Sequence, residues 1–392
     1  MRILMVLEKE YPPDNRVKKE AHALMEDGHH VAIACPTRKN QALRATIEHI
    51  LVIRKPISNF YYKKVSVGAL KFPFYFNYWR KFLIEILMEL NYDAIHIHDL
   101  PLGRVGYEMA QRFNLKWILD LHENWPAHLR HARHTNTFMG KILSSNRQWM
   151  NYEKELTQKA DAIIAVVDEM KTRLIEYGTN PDKILVVQNF FDLNQHKSMK
   201  LNPGKKNKEG FVLLYSGGVT IDRGLQIVLK GLAKALEARS DLRLWIIGDG
   251  SYLNDLKKMV NTLKINNHVS FLGSKPYKEY LEYMKKADIG LIPHFKTEQT
   301  DNSSPNKLFE YMYMGLSILA SDCNSIKRMI QAARCGQTYR HDSPSDFAKF
   351  LLEMTQSSAN LREMAQNGRE AVFQKYNWEN AKIQLQKLYQ FI

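Results

Sequence analysis

Cysteine is scarce in this sequence of 392 residues, and so are long hydrophobic runs. The three cysteines, Cys35, Cys323 and Cys335, are odd in number and lack metal-ligand spacing, which disfavours both a disulfide framework and a zinc site. Apolar runs such as AIIAVV at 162–167 fall well short of the roughly 18 residues that a membrane span needs. The opening MRILMVLEKEYPP has too short an apolar stretch for a signal peptide. We therefore expect a cytoplasmic protein with buried, reduced thiols.

Acidic residues are outnumbered in this chain. The 41 Asp and Glu residues face 56 Lys and Arg residues, which gives a net charge of +15. Such an excess suits nucleic acid, an anionic membrane surface or phosphorylated small molecules. Nucleic acid fits least, because the sequence has neither zinc-finger spacing nor an aromatic RNA-binding motif. The charge therefore points to phosphorylated ligands or to the inner face of a membrane.

Short β-rich apolar runs alternate with amphipathic helical patterns along the whole chain. RILMVL, HVAIAC, AIHIHD and KWILDLH are typical of the first half, and FVLLYSG, LRLWIIG, IGLIPH and SILASD of the second. The polar stretch 190–210 between the halves is typical of a linker. This alternation predicts an α/β protein with two Rossmann-like, doubly wound domains. Ligands of such sheets bind at the carboxyl ends of strands, so we expect the two domains to face a cleft.

One helix start in the second half carries an unusual set of side chains. In SSPNKLFE, which begins at Ser303, Ser304 is a suitable N-cap and Pro305 suits the first helical position. The backbone amides of that turn favour an anion, and Lys307 adds a full charge. Glu310, one turn deeper, is placed to accept hydrogen bonds from a vicinal diol such as that of ribose. The alternative is an ordinary capped helix whose Lys307 and Glu310 are solvated.

Other strand ends of the second half carry residues that suit a bound ligand. Glycines allow a ligand to approach the backbone closely, and a cation at a helix start reinforces an anion site. Each turn taken alone is also compatible with an ordinary βα connection. Two candidate anion sites in one domain, however, suit the two phosphates of a diphosphate. The strand-end candidates are Gly217, Gly218, Arg223, Gly248, Gly250 and Ser274.

Two strands of the first half end in histidines and carboxylates. IHIHD contains His96 and His98, and the next strand, ILDLHE, contains Asp120 and His122. Strand alternation predicts that Asp120 and His122 point to the same side of the sheet. Such a group can bind a metal, but His96 and His98 lie within a strand, where a core histidine is more common. We therefore predict no metal site, and we predict that His122 faces the ligand.

Taken in order, these motifs resemble the retaining family-4 glycosyltransferases with the GT-B fold. The resemblance covers most of the chain and includes YPPDNRVKKEAHALMEDGHHVAIACP, LDLHE, YSGGVTIDRGL, IIGDG, ADIGLIPH and PNKLFEYMYMGLSILASD. It implies an acceptor-binding domain over 1–195 and a domain over 205–377 that binds a nucleotide-sugar donor. It also implies that the tail helix, 378–392, packs back on the first domain.

The resemblance also implies roles for individual residues. Glu310 matches the glutamate that holds the ribose diol, and Arg223 matches a basic residue on the donor diphosphate. The amides from Ser303 through Ser304 to Asn306 fall where the family holds the transferred sugar and phosphate, and His122 matches a histidine that contacts the donor sugar. The segments Gly248–Gly250 and Ser274–Tyr277 fall near the nucleobase.

Three positions depart from the family pattern. PPDNRV replaces the glycine-rich loop after the first strand, which puts Arg16 near the expected phosphate. Asn302 stands at the first glutamate of the E-x7-E motif, and Gly218 stands at the first of the usual two basic residues near the diphosphate. Lys307 or Arg16 is expected to supply the missing charge.

The resemblance implies transfer of a sugar from a nucleoside diphosphate to an acceptor hydroxyl with retained anomeric configuration. Arg223, Lys307 and His122 are the catalytic candidates. No cofactor is expected, and no metal is needed if the protein supplies the positive charge. Two alternatives stay open: a nucleotide-sugar epimerase of similar architecture, and a glycan-binding protein with a degenerate site.

The segment 58–90 mixes aromatic residues with Lys and Arg. Trp and Tyr favour membrane interfaces, and cations are attracted to anionic lipids. FPFYFNYWRKFLIEIL within this segment is therefore either a helix at a bilayer surface or acceptor groove, or a core helix with a basic outer face. The first reading predicts a glycan or lipid-linked acceptor and peripheral contact with an anionic membrane.

Overall fold

A computed structural model describes residues 1–131, 140, 143–194 and 210–392. The chain divides into two compact units. Unit 1 contains Met1–Asn189 together with Ala381–Ile392, and unit 2 contains Phe190–Asn380. Much of the predicted linker, 195–209, lies outside the described residues.

Unit 1 is built on an eight-stranded sheet with the order β3-β4-β2-β1-β5-β6-β7-β8. Only the edge pair β3 and β4 is antiparallel among the strands described there. The strands are β1 (Arg2–Leu7), β2 (His30–Thr37), β3 (Arg44–Ile47), β4 (Ile50–Pro56), β5 (Ala94–His98), β6 (Lys116–Leu121), β7 (Ala162–Ala165) and β8 (Ile184–Val186).

Helices connect these strands and cover the sheet of unit 1. The longer ones are Asn15–Glu26, Phe74–Glu89, Gly103–Phe113, Trp125–His131, Asn146–Lys159 and Asp168–Glu176. Short helical turns occupy Tyr61–Val65, Ser66–Gly68, Leu100–Leu102 and Pro181–Lys183. The last helix of the chain, Trp378–Phe391, belongs to unit 1 from Ala381 onward.

Unit 2 is built on a six-stranded sheet with the order β11-β10-β9-β12-β13-β14, and its described strand pairs are all parallel. The strands are β9 (Phe211–Ser216), β10 (Leu242–Ile247), β11 (Val269–Gly273), β12 (Ile289–Ile292), β13 (Ser317–Ser321) and β14 (Gly336–Tyr339). The helices are Leu225–Ala238, Leu253–Thr262, Tyr277–Lys286, Glu298–Asp301, Asn306–Met314, Asn324–Ala333, Pro344–Thr355 and Ser358–Gln374, with short turns at Ile221–Arg223 and Asn266–His268.

The strand order of unit 2 locates the most favourable place for a ligand. From β9 the chain proceeds outward through β10 to β11, and then returns to the other side of β9 with β12. The carboxyl ends of β9 and β12 therefore form a topological switch point, where open α/β sheets leave a crevice. The prediction of two doubly wound α/β domains is confirmed.

The aromatic helix of the first half packs mainly into the core of unit 1. In Phe74–Glu89 the side chains of Tyr75, Phe76, Trp79 and Phe82 are buried in the core of unit 1. Residues spaced three and four apart lie on one face of a helix, and here that face packs on the sheet. Most of this helix is thus a core helix. None of the helices that the structure describes is long and apolar enough to cross a bilayer.

Candidate functional site

A cavity of about 430 Å³ opens at the carboxyl ends of β9, β10 and β11 in unit 2. Its walls come from three strand-end loops and the helices Tyr277–Lys286 and Asn306–Met314. The lining residues are Ser216, Gly217, Gly218, Ile247, Gly248, Asp249, Ser274, Lys275, Tyr280, Lys307 and Glu310.

Two glycines shape the floor of this cavity. Gly217 has φ of 130° and Gly248 has φ of 136°, conformations that L side chains rarely adopt. A Cβ atom on Gly248 would lie 1.9 Å from the carbonyl oxygen of Gly217, and one on Gly217 would lie 3.1 Å from the Lys307 Nζ. Gly248 therefore requires glycine both for its φ and because the Gly217 backbone approaches it closely, whereas Gly217 favours glycine mainly for its φ, since the end of the Lys307 side chain can shift.

The helix Asn306–Met314 begins one residue later than the sequence predicts. Pro305 takes the N-cap position with φ of −74° and ψ of 129°, and no side chain caps the helix. The prediction of Ser304 as N-cap is wrong: its Oγ lies 3.9 Å from the Met329 sulphur instead. Because proline fixes φ but supplies no donor, it suits either position. The helix still places Lys307 and Glu310 on the cavity wall.

The Glu310 carboxylate is oriented by Tyr280, which belongs to a small network of hydroxyl groups. The Tyr280 hydroxyl donates to Glu310 Oε2 at 2.9 Å and lies 3.0 Å from Ser216 Oγ. The Tyr311 hydroxyl accepts from the Ser216 backbone N–H at 2.9 Å. Burial, followed by Tyr311 and Glu310, raises the pKa of Tyr280, so its hydroxyl stays protonated and able to donate. A carboxylate held in this way presents a defined set of acceptors to the cavity.

Three basic side chains meet beside the cavity, and we name Arg223, His294 and Lys307 the basic cluster. Arg223 Nη1 lies 3.1 Å from His294 Nε2. The Lys307 ammonium lies 4.3 Å from the centre of the Tyr215 ring. Burial, reinforced by Lys307 and Arg223, holds the pKa of His294 well below its usual range. Burial and Arg223 also lower the pKa of Lys307 to about 7, against the opposing effect of Glu310.

The structure brings together most, but not all, of the candidates in the second half. Gly217, Gly218, Gly248, Ser274, Lys307 and Glu310 line the cavity itself. Arg223 lies outside this lining; its guanidinium contacts His294, and its charge contributes to the lowered pKa of the lining residue Lys307. The candidates outside the lining are Gly250, Ser303, Ser304 and Asn306.

In unit 1, His122 belongs to a buried ionic network centred on Asp120. Asp120 Oδ2 lies 3.0 Å from His122 Nε2 and 3.2 Å from His98 Nδ1, while Asp120 Oδ1 accepts from Arg16 Nη2 at 3.0 Å. Asp120 and His122 thus lie on the same side of the sheet, as predicted. Burial disfavours the charged imidazole, but Asp99 and Asp120 outweigh it and raise the pKa of His122 to about 9. His122 is therefore an imidazolium at neutral pH.

Arg16 is fully engaged within unit 1. Its Nε lies 3.0 Å from Glu20 Oε1, and its Nη1 donates to the Val187 carbonyl at 3.2 Å. Together with the bond to Asp120, these contacts pair an almost completely buried guanidinium with two carboxylates and a carbonyl, although the Nε–H itself makes no hydrogen bond of good geometry. This geometry favours a structural role for Arg16. Its contact with a phosphate stays a prediction.

The histidines of β5 lie in a group whose residue types could hold a metal. Ligand atoms of Glu20, His96, His98 and Asp120 lie within 4.8 Å of one another. However, the guanidinium of Arg16 pairs with both carboxylates and supplies the positive charge there. His96 also hydrogen-bonds the Tyr389 hydroxyl at 2.9 Å. The group therefore fits the predicted core histidines better than a metal site.

Sequence reasoning missed three residues that the structure places at the sites. Tyr280 orients Glu310 across 30 positions of the chain, and Tyr389 reaches His96 across 293. Contacts of such range leave no local signal. His294 did carry one, because it directly follows the strand IGLIP, where ligand-binding residues of parallel sheets are concentrated.

Two protein-family models match the chain. Residues 15–195 match Glycosyltransferase Family 4, and residues 198–371 match Glycosyl transferases group 1. The two matches correspond to the two halves in which the motifs were found, so the predicted family is confirmed.

Two relatives align with part of the chain at low sequence identity. An uncharacterized glycosyltransferase of Methanocaldococcus jannaschii is 24% identical over 192 residues, which cover 47% of this chain and 45% of the relative. The alpha-monoglucosyldiacylglycerol synthase of Streptococcus pneumoniae is 22% identical over 291 residues, covering 71% of this chain and 63% of the relative. The chain thus spans between about half and two thirds of the length of these two relatives.

Solved structures share the fold at low sequence identity. Sucrose-phosphate synthase of Thermosynechococcus elongatus superposes with a TM-score of 0.77 at 15% identity, covering 100% of this chain and 98% of that one. The Anabaena protein HepE in complex with UDP has a TM-score of 0.71 at 14% identity and full coverage of both chains. With a matching glycosyltransferase model for each half and two parallel-sheet domains like those of GT-B structures, the chain belongs to the glycosyltransferases.

Proposed function

We propose that this protein moves a sugar from a nucleoside diphosphate to an acceptor hydroxyl with retention of the anomeric configuration, in the synthesis of a bacterial surface polysaccharide or glycolipid. Unit 2 binds the donor and unit 1 binds the acceptor. One observation carries the proposal: a single cavity combines close-approach glycines, the Lys307 amine and the oriented Glu310 carboxylate. A nucleoside diphosphate presents the complementary parts, namely a diphosphate and a pentose diol. HepE, which shares the fold, binds UDP.

Electrostatics supply most of the proposed catalysis. As the bond between the anomeric carbon and the diphosphate breaks, negative charge grows on the departing phosphate. Arg223 and Lys307 stabilise that charge, and fixed cations are effective because they need no reorganisation during the reaction. The acceptor oxygen bonds to the same face of the sugar, and its proton passes to the departing phosphate oxygen. No side-chain nucleophile is needed in this scheme.

His122 is proposed to contact the donor sugar from unit 1. Its Nε2–H is engaged by Asp120 at 3.0 Å, whereas its Nδ1 lies 3.7 Å from Asp99, beyond a normal hydrogen bond. The Nδ1–H group is therefore the one that can turn to a sugar hydroxyl. Because Asp99 and Asp120 keep the imidazole charged, it acts as a donor and not as a base.

Replacing Glu310 by glutamine tests donor binding directly. We expect UDP, GDP or ADP to raise the melting temperature of the wild type, because a ligand that binds only the folded state stabilises it. In Glu310→Gln the affinity should fall by roughly 10- to 150-fold, since hydrogen bonds to a charged group contribute about 1.5–3 kcal/mol. Calorimetric titration with the tightest of the three nucleotides measures this loss.

Two controls accompany this titration. The 2′-deoxy form of the same nucleotide tests the contact with the ribose diol, and Glu279→Gln is a control variant with the same chemical change at another glutamate. Glu279 lies in the helix Tyr277–Lys286, and its carboxylate pairs with Lys275 at 3.5 Å. If Glu310 holds the ribose diol, removal of the 2′-hydroxyl should weaken wild-type binding but have little further effect in Glu310→Gln. Equal affinity of wild type and Glu310→Gln for all three nucleotides contradicts the assignment.

A lipid-linked acceptor is the finer part of the proposal, and it rests on an exposed aromatic group in unit 1. Phe60, Phe72 and Phe74 are 70%, 49% and 58% exposed, although they lie in the segment whose other aromatic residues build the core. Lys63 and Lys64 lie in the adjacent helical turn Tyr61–Val65. Exposed aromatic rings beside cations suit the interface of an anionic bilayer. The name of the S. pneumoniae relative describes the synthesis of a glycosylated diacylglycerol.

Vesicle co-sedimentation tests this membrane contact. We expect binding to vesicles that contain phosphatidylglycerol, and weaker binding to purely zwitterionic vesicles or at high salt. Lys63→Glu combined with Lys64→Glu should reduce binding by at least tenfold, because each cation near the surface contributes about 1 kcal/mol. The double variant Lys285→Glu and Lys286→Glu in unit 2 is the control. Binding that ignores lipid charge, salt and the Lys63 and Lys64 changes contradicts the proposal.

A further inference from the structure

The basic cluster brings together three basic side chains from three separate parts of unit 2. Arg223 ends the turn that follows β9, His294 follows β12, and Lys307 lies in the first turn of the helix Asn306–Met314. They meet at the switch point of the sheet, beside the cavity. Three full positive charges so close together, in a partly buried place, would repel one another strongly. The number of protons that the cluster carries is therefore a property that binding can change.

The geometry shows that His294 is neutral. A guanidinium can only donate hydrogen bonds, so the contact of 3.1 Å from Arg223 Nη1 requires an unprotonated Nε2 on His294. The proton of this imidazole then resides on Nδ1. The imidazole is also buried, and both neighbouring cations disfavour its charged form. His294 thus acts as a neutral acceptor that holds Arg223.

Lys307 has little to stabilise its charge in the free protein. Its amine lies over the Tyr215 ring at 4.3 Å and faces the backbone of Gly217. Among the residues that the structure describes, no carboxylate lies within the 4.0 Å of an ion pair with Lys307. Glu310 raises its pKa from a distance, but burial and Arg223 outweigh that effect and lower the pKa to about 7.

The remaining charged groups near the cluster leave this balance in place. Asp222 lies 3.7 Å from Arg223 Nε, but its carboxylate is largely exposed and screened by water. The Glu310 carboxylate accepts from Tyr280, whose hydroxyl stays protonated. Burial also raises the pKa of Tyr215, ahead of the opposing effect of Arg223, so this ring carries no charge near neutral pH. Lys307 is therefore the member of the cluster that can gain a proton.

Resting on the proposed function, we propose that binding of a nucleoside diphosphate in this cavity is coupled to the uptake of one proton from solvent by the Lys307 amine. The free amine becomes an ammonium group, and the new charge pairs with the diphosphate. The bound diphosphate supplies the negative charge next to Lys307 that the protein itself does not provide. Donor binding thus converts a weakly charged cavity into a fully charged one only when there is a leaving group to stabilise.

Proton uptake makes affinity depend on pH in a defined direction. Below pH 7 Lys307 already carries its proton, so pH has little effect on binding through this group. Above pH 7 each binding event must draw a proton from solvent, and the dissociation constant should rise about tenfold per pH unit. The rise ends where the pKa of Lys307 in the complex is reached. The phosphates of the ligand do not interfere at pH 8, because the last one titrates near pH 6.

Calorimetric titration with UDP, GDP or ADP at pH 8 in two buffers of different ionisation enthalpy, such as Hepes and Tris, counts the protons. For the wild type we expect uptake of about 0.9 proton per ligand, because at one unit above a pKa of about 7 some nine tenths of the amine is neutral. The difference in heat between the buffers gives this number directly, without any measurement of turnover.

Lys307→Arg is the decisive variant, since arginine keeps its charge at every accessible pH. It should bind with uptake near zero, and its dissociation constant should stay flat between pH 7 and 9. Lys285→Arg, which alters an ion-paired lysine of the helix Tyr277–Lys286, should keep the wild-type uptake. His294→Asn retains a hydrogen-bond acceptor for Arg223, so this variant should also take up the same number of protons as the wild type.

The outcomes separate this inference from the function on which it rests. Nucleotide binding by the wild type without proton uptake overturns the inference and leaves the function standing. Uptake that persists in Lys307→Arg, or that disappears in His294→Asn, overturns the assignment to Lys307. Absence of binding by all three nucleotides overturns both. The wild-type titration decides the main point even if a variant fails to fold.

Discussion

Changing Arg223 to alanine is expected to lower turnover about 10²- to 10³-fold, the loss typical when one fixed donor to a developing negative charge is removed. The guanidinium is aimed by His294 at 3.1 Å and acts on the same region as Lys307. The side chain is 41% exposed, so its removal should leave the fold intact. Turnover is measured as the release of nucleoside diphosphate from the donor in the presence of a cell extract that contains the acceptor.

Arg340→Ala is the matched control for this change. Arg340 is an exposed arginine of the same unit, and it pairs with its near neighbour Asp342 at 2.9 Å, as Arg223 lies near Asp222. Its loss should change turnover less than twofold. If Arg223→Ala turns over within threefold of the wild type while it melts at the same temperature, Arg223 has no part in the chemistry.

The second large effect concerns stability. Asp120→Ala should lower the unfolding free energy of unit 1 by about 3–5 kcal/mol, because it leaves the buried Arg16 guanidinium and the His122 imidazolium without their shared carboxylate. For a unit of this size the loss corresponds to roughly 6–20 °C in melting temperature. Arg16 and His122 together keep the pKa of Asp120 well below its usual range despite burial, so the carboxylate is charged at any working pH. Scanning calorimetry measures the shift.

An exposed pair provides the comparison. Glu89→Ala breaks the ion pair with Arg44, in which both side chains are half exposed, and should lower the unfolding free energy by less than about 1 kcal/mol. Combining Arg16→Met with Asp120→Asn should cost less than the sum of the two single changes, because the buried ion pair between Arg16 and Asp120 is then removed as a whole. A loss for Asp120→Ala no larger than that for Glu89→Ala would show that the network does not stabilise unit 1.

The sequence was most informative where a function depends on local chain geometry. Strand alternation, the glycines at 217 and 248 and the spacing of Lys307 to Glu310 are properties of short segments. The structure places these two glycines, Lys307 and Glu310 on one cavity. The start of the helix at Asn306 was missed by one residue, because the φ angle that proline fixes is compatible with both a first helical residue and the extended conformation that Pro305 adopts.

Interactions between distant segments could not be predicted in this way. The sequence around Tyr280 does not predict its hydrogen bond to Glu310. Likewise, the segment PPDNRV does not predict that Arg16 is buried against Asp120, which lies 104 positions later. The aromatic helix Phe74–Glu89 was ambiguous for a related reason. An amphipathic pattern gives the apolar face of a helix, but it does not tell whether that face meets a protein core or a lipid surface.

Unit 1 is built from two separate segments of the chain, and this affects the order in which the two units can fold during synthesis. Its closing segment, Ala381–Ile392, is translated only after the whole of unit 2. That segment brings Tyr389 to His96, Gln386 to the Ala23 carbonyl and Lys382 to Glu26. Unit 2 can therefore be completely synthesised while unit 1 still lacks Ala381–Ile392, and until that segment leaves the exit tunnel His96 has no contact with Tyr389.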